Sequence, residues 1–107
     1  MAMDVVFKAL ADASRRKLLD DLRERGGQTL GELCLGRGMT RQAVSKHLAV
    51  LEAANLVATE KRGREKLHYL NPVPIQEIAD RWIGQYDRGR LAALADLKRR
   101  LEGETHD

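Results

Sequence analysis

The chain runs to 107 residues, with 19 basic and 16 acidic side chains and a formal net charge of +3. That length gives one domain with a modest core, for which dimerisation is a natural way to bury more apolar surface, and the basic balance suits nucleic acid. A single cysteine excludes an internal disulfide, no apolar run approaches a membrane span and no signal-like start is present, so a soluble, cytoplasmic chain is expected.

Low proline and aromatic content predicts a mainly α fold. A first short helix is expected over Met3 to Leu10, with Val6 and Leu10 on one face. Asp12 reads as the N-cap of a second helix, packed through Leu18, Leu19 and Leu22, that stops at Gly26-Gly27. Thr29-Leu30-Gly31-Glu32 has the spacing of a capping box. It opens a short helix through Leu33 to Leu35 that ends at Gly36-Arg37-Gly38, and Thr40 caps the next helix, over 40–54. Two short helices joined by a glycine-bearing turn form the helix-turn-helix pattern.

Beyond Asn55 the period changes. Leu56 to Lys61 and Lys66 to Leu70 read as strands bracketing Arg62-Gly63-Arg64-Glu65, so a basic-tipped β-hairpin is expected over 57–70. Asn71-Pro72-Val73-Pro74 marks a sharp break, and one long helix is expected over 75–102. Ile78, Trp82 and Tyr86 form one stripe on it, and Leu91, Leu94, Leu97 and Leu101 form another. The stripes are out of phase, and Gly89 sits where they shift, so a bend or a change of partner is expected there.

Most of the chemistry lies in the helix over 40–54. At about 100° per residue, Val44, Leu48 and Leu51 share one side, while Gln42, Lys46 and Ala49 fall opposite. Arg41 and Ser45 occupy one flank and His47 the other. An amide, a hydroxyl and cations near a helix start can meet base edges and phosphates in a major groove, which makes this a candidate DNA recognition helix. Gln42 and Ser45 suit base edges, Arg41 either guanine or phosphate, and Lys46 a phosphate. His47 is either a half-buried packing residue or a phosphate contact. Thr40 is first a cap, and the helix N-terminus it marks can also hold a phosphate. Arg62, Arg64 and Lys66 either keep a strand edge soluble or reach the neighbouring DNA backbone or minor groove.

The order of elements is that of a winged helix-turn-helix. Ala9-Leu10-Ala11-Asp12, Arg15-Arg16-Lys17-Leu18-Leu19 and Val44-Ser45-Lys46-His47-Leu48, followed by Leu51 and Leu56-Val57, together resemble the ArsR/SmtB family of bacterial repressors. The resemblance covers roughly residues 3 to 102. It implies a homodimer that represses transcription by occupying operator DNA and pairs through its first and last helices. Val6, Leu10, Ile78, Trp82, Tyr86 and Leu94 are the expected interface residues.

Metal-sensing members carry a Cys-x-Cys-type pair before the turn, or an Asp-x-His start with further ligands on the last helix. Here Cys34 stands alone with Gly36 two residues on, and Asp80 is followed by Arg81-Trp82. Thiolate sites need at least two soft ligands. His47, His68 and His106 are scattered, so no metal site and no cofactor are expected. Trp82 with Tyr86 reads as dimer packing or as a pocket for an apolar effector, and Cys34 as a small buried hydrophobe or an oxidisable thiol. A repressor released by a small organic ligand or by thiol oxidation is therefore one alternative. A winged-helix module that binds protein is another. Without a Gly-rich phosphate loop, a triad or a distinctive carboxylate pair, no enzymatic activity is expected.

Overall fold

The computed structural model describes residues 3–104. In chain order they form α1 (Met3–Leu10), α2 (Ala13–Glu24), α3 (Leu30–Cys34), α4 (Arg41–Ala53), β1 (Val57–Arg62), β2 (Glu65–Leu70), α5 (Val73–Trp82) and α6 (Arg88–Glu104). They divide into two compact units, one ending at Gln76 and the other beginning at Glu77. This is the mainly α winged helix-turn-helix architecture that the sequence predicts.

Within the first unit, apolar positions at helical spacing build one core. Leu18, Leu19 and Leu22 of α2 and Val44, Leu48 and Leu51 of α4 are all buried, with Val6, Ala9, Leu33, Leu56, Val57 and Leu67 among them. Burying a leucine fully contributes about 1.5–3 kcal/mol, so this cluster fixes the orientation of α4.

Each helix of the turn motif is closed by side chains. Asp12 Oδ1 accepts from the Arg15 amide at 3.1 Å. Thr29 Oγ1 accepts from the Glu32 amide at 3.2 Å while Glu32 Oε1 accepts from the Thr29 amide at 3.1 Å, a reciprocal capping box. Thr40 Oγ1 accepts from the Ala43 amide at 3.1 Å. At its other end α4 stops on Asn55, whose φ of 62° lies in the left-handed region. The Leu56 amide then donates to the Leu51 carbonyl at 2.9 Å, closing a Schellman-type end.

The hairpin pairs Val57 with Leu70 through to Arg62 with Glu65, leaving a two-residue tip, Gly63-Arg64. Gly63 has a φ of 63°, which a glycine adopts without the Cβ penalty. A third backbone segment docks on β2, where Gln28 and His68 form an antiparallel bridge.

The helix expected over 75–102 is two helices, α5 and α6, and the break falls before Gly89. A Cβ at Gly84 would sit 2.7 Å from the Asp80 carbonyl oxygen, so only glycine fits the end of α5. Asp87 restarts the chain: its Oδ1 accepts from the Arg90 amide at 2.8 Å, and Gly89 lies in the first turn of α6. The helix after the prolines also starts two residues earlier than expected, with Pro74 in the first turn of α5 where its missing N–H costs nothing.

Candidate nucleic-acid interface

The inner face of α4 is fixed by Val44, Leu48 and Leu51, so its outward face is fixed too. Arg41, Gln42, Ser45 and Lys46 are exposed on that face. Their side chains make no hydrogen bond or ion pair with the described residues. Arg41 reaches back towards α3, its Nη1 3.8 Å from where a Cβ on Gly31 would stand. Thr40 remains at the helix start as the cap.

β2 runs beside this helix across a cleft of about 520 Å³, lined among others by Thr29, Arg41, Ser45, Glu52, Arg64, Lys66 and His68. The three hairpin cations differ in their partners. Arg64 stands exposed at the tip. Arg62 Nη2 is 3.3 Å from Glu60 Oε1, an exposed pair of little energetic weight. Lys66 Nζ lies 3.1 Å from Glu52 Oε1 and so straps the wing to the recognition helix.

His47 is half-buried on the flank of α4, with Arg15 Nη1 3.4 Å from its Nδ1. Arg15 also donates through Nε to the Ala9 carbonyl at 2.8 Å and through Nη2 to the Lys8 carbonyl at 2.9 Å, which closes the end of α1. Asp12, beside them, has its carboxyl held below the usual range, first by the Arg15 amide and then by the Arg15 charge. In the same way the Thr29 amide, followed by the Thr29 hydroxyl and Arg25, lowers the Glu32 carboxyl.

Sequence reasoning missed four supports of this surface. Arg15 stands in an Arg-Arg-Lys run, where nothing local distinguishes it from its neighbours. Arg37, in the turn between α3 and α4, has only 8% of its side chain exposed; it pairs with Asp21 and donates to the Leu33 carbonyl. Gln28 is buried: its Nε2 donates to the Arg25 carbonyl at 2.8 Å and the Asp21 carbonyl at 3.2 Å, closing the end of α2. His68, buried beneath the wing, sets its Nδ1 2.8 Å from the Gln28 carbonyl oxygen. A polar residue directly after the Gly26-Gly27 stop is the one signal that could have pointed to Gln28.

The expected interface residues fall into different environments. Val6 is 1% exposed and packs in its own core, because its position on α1 faces α2 and α4. The exposed apolar residues of α1 are instead Val5 and Phe7. Leu10 and Ile78 are half-buried. Trp82, Tyr86 and Leu94 are exposed, as are Leu91, Leu97 and Leu101. Arg81 lies over the Trp82 ring, 5.6 Å from its centroid.

Cys34 is half-buried at the end of α3. Among the described residues, no three His, Cys, Asp or Glu side chains come together as a metal site. One thiolate flanked by Gly36 does not fit a thiophilic centre; His106 lies outside the described residues. No helix among the described residues is long and apolar enough to cross a membrane.

A recognition helix with unengaged outward polar groups, strapped to a basic wing, defines a winged helix-turn-helix DNA-binding protein. Comparison with known proteins agrees: residues 10–60 match the helix-turn-helix domain family model. The chain is 41% identical over 86 residues to the HTH-type transcriptional regulator YuzN of Bacillus subtilis, covering 75% of this chain and 94% of that one. It is 29% identical to the transcriptional repressor SdpR of the same organism, covering 81% and 96% of the two chains. A solved ArsR-like transcriptional regulator from Rhodococcus superposes with a TM-score of 0.68 at 29% identity, covering 96% of this chain and 86% of that one. The protein belongs to the ArsR/SmtB-type family of winged helix-turn-helix transcriptional regulators.

Proposed function

We propose that this regulator is a cytoplasmic homodimeric repressor that binds an inverted-repeat operator, autoregulates, and does not sense metal. The unengaged outward face of α4, carrying Arg41, Gln42, Ser45 and Lys46, is the observation that carries the DNA-contact assignment. Gln42 and Ser45 read base edges. Lys46, Thr40 and His47 address phosphates, Arg41 a guanine or a phosphate, and Arg62, Arg64 and Lys66 carry the wing to the adjacent backbone.

Dimerisation is supported by the leucines of α6, at positions 91, 94, 97 and 101, which remain exposed in the single chain. Apolar stripes of that kind mark protein interfaces. Two recognition helices then meet successive major grooves, with half-site centres about 10 base pairs apart. SdpR, a relative of this chain, is by name a repressor, which supports repression as the direction of control.

The test is fluorescence anisotropy of the purified protein on its own upstream region against random duplex, across a salt series. With six to ten phosphate contacts, affinity is expected to fall about 10³- to 10⁵-fold between 50 and 200 mM salt. A preference of several hundredfold for the upstream duplex is the expected result. Equal weak binding to both duplexes would remove autoregulation. No binding at low salt would favour a protein-interaction module instead.

A further inference from the structure

We propose that Arg15 is a positioning residue that holds His47 in its Nε2–H tautomer, so that this N–H donates to a backbone phosphate of the operator. The proposal rests on the DNA-contact reading above and assigns His47 its chemistry within it.

A guanidinium has five N–H donors and no acceptor. Arg15 Nη1 can therefore engage His47 Nδ1, 3.4 Å away, only if Nδ1 presents its lone pair. A neutral imidazole carries one ring proton, which must then sit on Nε2. A doubly protonated ring would set N–H against N–H across the same 3.4 Å.

Arg15 is itself immobilised. Its Nε and Nη2 also donate, to the Ala9 and Lys8 carbonyls at 2.8 and 2.9 Å, so it cannot swing away to suit another tautomer. His47 Nε2 has no partner among the described residues, and no described side-chain nitrogen or oxygen is both buried and unpartnered. Nε2 is thus not sealed in the interior, and it lies on the helix that carries Ser45 and Lys46.

A neutral donor differs measurably from a cation on the same helix. Lys46 neutralises a phosphate and releases a counterion, so Lys46→Ala lowers the salt slope. His47 adds affinity without counterion release. His47→Ala is therefore expected to weaken operator binding about tenfold per half-site, the weight of a hydrogen bond to a charged group, and to leave the slope unchanged.

Two measurements on the full chain test this. Long-range ¹H–¹⁵N NMR of the histidine rings without DNA reads the tautomer directly. The expected result is Nε2–H at His47 in the wild type and a tautomer mixture in Arg15→Gln. Anisotropy on the upstream duplex then compares His47→Gln, whose amide nitrogen stands where Nε2 stood, with His47→Ala. His47→Gln is expected within about threefold of wild type, since it keeps the hydrogen-bond donor. This pair of variants decides the phosphate role even if Arg15→Gln fails to fold. An Nδ1–H or imidazolium ring in the wild type would overturn the role of Arg15. An unaffected affinity or a shallower slope in His47→Ala would overturn the neutral phosphate contact. Wild-type protein that binds no duplex would instead remove the DNA-contact reading, while the tautomer spectrum still judges Arg15 separately.

Discussion

Replacing Gln28 by Leu is expected to destabilise the first unit without rearranging it. The side chain is 7% exposed and makes three bonds: Nε2 donates to the Arg25 and Asp21 carbonyls, and Oε1 accepts from Arg25 Nη2 at 3.1 Å. Leucine keeps the volume and removes all three. The Asp21 carbonyl retains its bond from the Arg25 amide at 3.0 Å, and the Arg25 guanidinium stays 3.1 Å from Glu32 Oε2. The Arg25 carbonyl loses its side-chain donor, at a cost of about 1–3 kcal/mol that the apolar replacement offsets in part. The net expectation is a loss of about 1–2 kcal/mol, or about 4–8 °C in Tm for each kcal/mol in a chain this small. The backbone bonds between Gln28 and His68 survive, so the slope of a urea unfolding curve should not change. A midpoint shift no larger than that of a surface substitution, about 0.5 kcal/mol or less, would refute this account of how α2 is closed.

Other perturbations probe the interface. Glu52→Gln should remove the carboxylate beside Lys66 and strengthen binding to operator and random duplex alike, measured by anisotropy. Leu94→Ala should weaken the dimer about thirtyfold in sedimentation, because Leu94 is 51% exposed and burying the remainder contributes about 1 kcal/mol per copy. Lys46→Ala should weaken operator and random DNA alike, whereas Gln42→Ala should blur preference at one base position, read from a panel of substituted duplexes. Asp12 titrates below its ordinary value of 3.8 in the folded chain. Its contribution is therefore complete above pH 3.8 and lost as pH falls through the lower folded value. Asp12→Asn keeps a capping oxygen and removes that proton, so it should flatten this part of the acid unfolding curve.

The fold was legible wherever local chemistry decides it. Asp12, Thr29 with Glu32, and Thr40 all cap where their spacing places them, because the orphan N–H groups of a helix start are met within three residues. The break between α5 and α6 falls before Gly89 because the Ile78-Trp82-Tyr86 stripe and the leucine stripe mark only a change of phase, while the turn depends on the approach of Gly84 to the Asp80 carbonyl. On α4 the exposed positions were legible from the angle per residue alone. Long-range partners were not: Arg15 meets His47 across 32 positions and Gln28 meets His68 across 40, and nothing in either residue type announces the pairing. Val6 shows the same limit, since helical spacing gives a shared face but not whether that face meets its own core or a partner.

The recognition helix is fastened at its start by Thr40, at its end by Asn55 and along its inner face by three core residues, but not by Gln42, Ser45 or Lys46. Those positions are interchangeable as far as folding is concerned. A different set of side chains there would leave the scaffold, the wing strap and the helix length as they are. Such a helix accepts exposed substitutions on that face with no compensating change in the core.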